Sequence, residues 1–172
     1  MPSYLASILQ QFNYYKSLGE KTFEQLDDSQ LFKQPHSDSN SIAIIVNHMW
    51  GNMLSRWTDF LTTDGEKPWR ERDKEFEDII KTRDELMARW AEGWDCVFHA
   101  LEQVNDNNLS ASITIRNQNL TVTEAINRQL AHYAYHVGQI VYIGHLLKGD
   151  QWQSLSIPKN KSKDFNEKMG MK

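Results

Sequence analysis

The stretch TVTEAINRQLAHYAYHVGQIVYIGHLLKG, residues 121–149, constrains the fold more than any other in the chain. Thr121 and Glu124 stand at capping-box spacing, and Gly149 supplies a stop. The apolar spacing between them predicts one long helix ending near Lys148. Yet His132, His136 and His145 lie among residues that must be buried. An imidazole buried without a partner costs about 1–3 kcal/mol, so this helix has to supply hydrogen bonds or a metal.

Three earlier segments share the helical period. Leu5, Ile8, Leu9, Phe12, Tyr15, Gly19, Thr22, Phe23 and Leu26 form the first stripe. DDSQLFKQPHSDSN (27–40) breaks it with turn formers and Pro35. A second helix should begin near Ser39–Ser41 and run through IAIIVNHMWGNMLSRWTDFL, with TTDGEKPW closing it. A third, roughly 80–105, carries Leu86, Trp90, Val97, Leu101 and Val104 on one side. Between the third and the last helix, SITI and LTV flank RNQN as a hairpin pattern. The fold class predicted is all-α, a four-helix bundle with a short β-hairpin before the last helix. With 172 residues the chain reads as one domain, 1–172, whose residues 149–172 form a polar tail. Trp152, Leu155, Ile157 and Phe165 could pin parts of that tail to the bundle.

Charge narrows the partners. The net charge of −4 gives no broad attraction to nucleic acid or anionic membranes. The densest charged run, EKPWRERDKEFED (66–78), mixes both signs and reads as a solvated loop. IAIIV (42–46) is the longest aliphatic run, far short of a membrane span. The N-terminus has neither the basic nor the continuous apolar region of a secretory signal, and Cys96 is the only cysteine. A soluble, cytoplasmic protein is expected.

The histidines are the chemical signal. His132 and His136 lie about 40° apart on one helix face, where side chains at i and i+4 can chelate one ion. Arg128, His132, His136 and Gln139 share one polar stripe, while Ile126, Leu130, Ala134, Val137 and Val141 make a second apolar face. That second face calls for another helix, in this chain or in a second subunit. The second helix repeats the pattern, with His48, Asn52, Ser55 and Asp59 in a polar row. If the two helices are neighbours, His48 joins His132 and His136 in a three-histidine site with an open position, suited to zinc, nickel, cobalt or iron(II). The spacing also fits a pair of ordinary hydrogen-bonded histidines. His36, His99 and His145 have no matching pattern and are read as bystanders. HYAYH lacks the glutamate of zincin proteases, and no Glu-x-x-His occurs, which argues against a carboxylate-bridged di-iron bundle.

The chain resembles the DinB/YfiT-like metalloenzyme family, four-helix bundles unrelated to the polymerase that shares the DinB name. The likeness rests on SIAIIVNHMWGNMLSRWTDFLTTDGEKPWRERDKEFED, on AHYAYHVGQIVYIGHLL and on the tail SLSIPKNKSKDFNEKM, and spans essentially the whole chain. It implies one divalent metal on His48, His132 and His136, zinc or nickel first, with cobalt, iron or manganese next. It also implies a homodimer. Some relatives transfer low-molecular-weight thiols such as bacillithiol or mycothiol, and others are linked to hydrolase or isomerase chemistry.

Two functional readings follow. One is a metal-dependent enzyme performing thiol S-transfer or hydrolysis on a small molecule, with Asn52, Arg128 and Gln139 orienting substrate or supporting the ligands. Asp59 is a distant candidate base. The other is a non-catalytic, stress-related dimeric module that binds a metal or ligand at the same site.

Overall fold

The computed structural model describes residues 3–171. It is mostly helical, with four long helices, two short ones and a single two-stranded sheet. The long helices are α1 (Tyr4–Gln25), α3 (Ile42–Trp57), α4 (Arg83–Leu101) and α5 (Val122–Lys148). The short ones are α2 (Asp28–Phe32) and α6 (Ser162–Lys168), and the hairpin strands are β1 (Ser112–Ile115) and β2 (Gln118–Thr121). Caps set the starts: Ser41 accepts from Ile44 N, while Thr82–Glu85 and Thr121–Glu124 are complete capping boxes.

Helix α1 lies along α5, α3 packs on α4, and α3 also meets α5. One aromatic joint ties all four together. The Phe12 ring on α1 contacts Trp57 of α3, Trp94 of α4 and Tyr133 of α5, with centroids 6.4, 6.1 and 6.1 Å away. Such pairs contribute about 0.5–1.5 kcal/mol each beyond burial. The Trp90 indole of α4 packs directly on the α1 backbone at Gly19, where an added Cβ would collide with the ring. The second apolar face of α5 finds its partner in this chain and not in a second subunit: Ile126 and Val137 are fully buried, Leu130 and Val141 pack against the core, and Ala134 is half-buried.

Several expectations change. Helix α3 stops at Trp57, short of Leu61, because Thr58 turns extended and Asp59 takes a positive φ of 47°. Asp59 thereby leaves the polar row. The segment read as a break after α1 contains α2, held by an Asp27–Gln30 capping box. The hairpin turn is Arg116–Asn117 alone, both with φ above 50°, and Gln118 and Asn119 belong to β2 opposite Ile115 and Thr114. In the tail, Trp152 stacks on His145 at 5.5 Å, whereas Ile157 and Phe165 are exposed. The largest correction concerns residues 66–78. That run is not simply solvated, since Lys67 and Glu75 are buried and the Arg70 side chain is 2 % exposed.

Candidate metal centre

Helices α3 and α5 bring His48, His132 and His136 together, each offering one ring nitrogen within 4.8 Å of the others. His132 Nε2 lies 3.4 Å from His48 Nε2 and 3.1 Å from His136 Nε2. Zinc–imidazole bonds of about 2.0–2.1 Å in a tetrahedron place neighbouring nitrogens about 3.3–3.4 Å apart, close to these two spacings, while the His48–His136 pair lies within 4.8 Å. His48 and His136 are buried and His132 is half-buried.

The far sides of two rings fix what the near sides present. His48 Nδ1 donates to Glu75 Oε2 at 2.9 Å, and His136 Nδ1 donates to Gln139 Oε1 at 2.9 Å. Each bond places the proton on Nδ1 and leaves the Nε2 lone pair facing the cluster, the arrangement that orients metal ligands. Aromatic contacts hold the rings: Phe76 stacks on His48 with centroids 4.5 Å apart, and Tyr135 lies tilted against His136 at 4.1 Å. Burial, then the neighbouring His136 and His48, drives the pKa of His132 down to about 3. Burial drives His136 down to about 4, against the upward pull of its bond to Gln139. Both rings are therefore neutral near pH 7, as ligands must be.

Glu75 is the residue that sequence reasoning missed. It sits in the 3₁₀ turn Arg72–Phe76 and packs against α3. Arg70 grips its carboxylate with two bonds, Nε to Oε1 at 2.7 Å and Nη2 to Oε2 at 2.9 Å. Asn47 Nδ2 donates to the Glu75 carbonyl at 2.9 Å. Burial alone would raise the Glu75 pKa, but the bonds from His48 and Arg70 hold it below the usual carboxylate range. Gly51, one turn beyond His48, makes the approach possible, because a Cβ there would stand 2.6 Å from Glu75 Oε1. In the sequence it is one of six carboxylates in the mixed-charge run 66–78, with nothing to single it out.

The histidines open onto a cavity of about 450 Å³. Asn52, Arg128 and Gln139 line it, together with Gln129. Asp59 does not line it, which removes it as a candidate base. Among the described residues lining the cavity there is no aspartate or glutamate. His36 lies in an exposed loop, His99 pairs with Glu102 at 3.3 Å on the surface, and His145 stacks on Trp152, all outside the cluster.

The fold and site define an all-α protein with a three-histidine cluster at the base of a polar cavity. The family model described as "Protein of unknown function (DUF1572)" matches residues 1–161, and the chain belongs to that family. Comparison with curated proteins returns no match.

Proposed function

We propose that this protein is a DinB/YfiT-like four-helix bundle and a divalent-metal-dependent enzyme that transfers a low-molecular-weight thiol to a small electrophile. One observation carries the reading: three Nε2 atoms spaced 3.1–3.4 Å along the cluster, two with Nδ1 anchored behind, at the base of a cavity. The residues present suit zinc or nickel.

A divalent ion on three neutral imidazoles is a Lewis acid that lowers the pKa of a thiol or water in its open position. The chain's residues do the rest. Glu75 and Gln139 keep His48 and His136 in ligand geometry. Asn52 and Arg128 face the cavity, where they orient the incoming molecules. The polar, arginine-rich lining would hold a charged thiol beside the open position, and hydrolysis through a bound water is the alternative reaction at the same site. A thiol needs only to lose its proton to solvent before sulfur bonds to the electrophilic carbon and the leaving group departs.

Tyr142 and Leu146, exposed one turn apart on α5, mark the face on which we place a second copy of the chain. The single free Cys96 and thiol chemistry suit the reducing cytoplasm, and no helix among the described residues is long and apolar enough to cross a membrane.

The test is thiol consumption by nickel- or zinc-loaded protein across a panel of small thiols and alkylating or epoxide electrophiles. Turnover by the loaded chain, lost at least a hundredfold in His136→Ala, is expected. Full metal loading with no histidine-dependent turnover on any pair contradicts the enzyme reading.

A further inference from the structure

We infer that the cavity above the three histidines binds a small oxyanion, a molecule carrying carboxylate or phosphoryl groups. This deepens the proposed function and rests on its reading of the cluster as the reacting centre.

Charge is the first observation. The chain carries a net charge of −4, yet Arg56, Arg70, Arg72, Arg116 and Arg128 all line this one cavity. The carboxylates bonded to these guanidinium groups are Glu66 and Glu75. Glu66 takes Arg56 at 3.0 Å, Arg116 at 2.9 Å and Arg70 at 3.4 Å, while Glu75 takes Arg70 and His48. Asp64 is occupied elsewhere, accepting the backbone N–H groups of Glu66, Arg116 and Asn117. Arg72 and Arg128 have no ion-pair partner among the described residues, although they come from separate elements, the 3₁₀ turn and α5. Arg72 lies over the Phe76 ring, 5.3 Å from its centroid, and that ring in turn stacks on His48. Guanidinium forks match the paired oxygens of carboxylates and phosphates, and a cleft lined by one sign of charge focuses that attraction.

A buried amide supplies the second observation. Trp57 Nε1 can only donate, and it donates to Tyr133 Oη at 2.9 Å. The tyrosine hydrogen is thereby directed to Asn52 Oδ1, 3.2 Å away. Asn52 is left with its N–H₂ as the free end in the cavity wall, a donor suited to an oxyanion. Gln129, 3 % exposed, also lines the cavity, and its Oε1 has no hydrogen-bond partner. That oxygen is itself fully enclosed, out of reach of a molecule in the cavity, so the amide that serves the oxyanion is Asn52.

The test is calorimetric titration of malonate and of inorganic phosphate into cobalt(II)-loaded full chain and into metal-free chain, with sodium chloride at matched ionic strength as reference. Saturable binding of malonate or phosphate but not chloride is expected, the tighter of the two identifying the oxyanion type. Arg72→Gln and Arg128→Gln, both at exposed positions, should each weaken it about tenfold. Lys163→Gln on α6 should leave it unchanged, and circular dichroism melts should show all three variants folded. Binding weaker than about 10 mM for both anions, or unaltered by the arginine changes, overturns the proposal. A chain that loads cobalt fully yet binds neither anion overturns the oxyanion site and leaves the metal reading standing. One that takes up no cobalt but binds an anion through both arginines keeps the oxyanion site and overturns the metal reading.

Discussion

His48 Nδ1 donates to Glu75 Oε2 at 2.9 Å, a contact between a long helix and a 3₁₀ turn that holds only while residue 51 has no side chain. Partners behind a ligand are worth about 10–100-fold in metal affinity. Glu75→Gln keeps an acceptor for His48 but loses the charge, and competition with a chromogenic chelator should show affinity falling about tenfold. Gly51→Ala should lower affinity in the same direction without weakening α3, because alanine is the better helix former. Unchanged affinity in both variants would remove Glu75 from the metal centre.

Glu75→Ala is a harsher change. It strips the bidentate partner from Arg70, whose side chain is 2 % exposed, and leaves only Glu66 at 3.4 Å. Urea unfolding should show a loss of about 3 kcal/mol, the usual cost of orphaning a buried charge. A loss below about 1 kcal/mol would mean that the loop rearranges to solvate Arg70.

Protons and stability are linked at the histidines. In the folded, metal-free protein His132 titrates near 3 and His136 near 4, both below the unfolded value near 6.5. The unfolded chain therefore binds more protons between those limits, and stability falls as pH drops through that window. The melting temperature of metal-free protein should be flat above pH 7 with respect to these two groups and decline from about pH 6.5 downward. Saturating metal should raise it most at neutral pH. His132→Asn should flatten part of the acid decline.

Asp64 acts in a lower window. Burial opposes its ionisation, but bonds from the Asn117, Glu66 and Arg116 backbone N–H groups hold its pKa at about 2. Its contribution is complete above about pH 4 and is lost as pH falls toward 2. Asp64→Ala should cost about 1–2 kcal/mol in urea unfolding at pH 7 and remove that acid limb. It should also loosen the Arg116–Asn117 turn, visible as faster amide exchange at Asn117.

Tyr133 links core to cavity. Tyr133→Phe removes the hydroxyl between Trp57 Nε1 and Asn52 Oδ1 and orphans both, costing about 1–3 kcal/mol. The Asn52 amide should then lose its fixed orientation, so substrate KM should rise while metal content stays constant. Falling metal content would show that the tyrosine supports the ligands as well.

The long helices were legible because their apolar residues repeat with the helical period and their caps are local. Thr121–Glu124 marked the start of α5 without help from the rest of the chain. The histidines were legible for a related reason, since His132 and His136 are neighbours on one helix and His48 sits in a polar row that otherwise lacked purpose. Glu75 was not legible. Its burial depends on Arg70 beside it, on Gly51 across the groove and on the path of a loop without periodicity. The end of α3 was hidden too, because Asp59 breaks the helix through its backbone angle while its residue type fits the polar row. The orientation of Asn52 depends on Trp57 and Tyr133, which meet only once α3 and α5 pack.

Metal stoichiometry tests the centre most directly. The 172-residue chain is loaded with zinc or nickel, desalted, and assayed by mass spectrometry of the metal against protein. About one ion per chain is expected for the wild type, falling close to zero in His48→Ala, His132→Ala and His136→Ala while circular dichroism shows each variant folded. Wild-type protein that retains no metal under any loading condition, or folded histidine variants that retain it in full, would contradict the three-histidine centre.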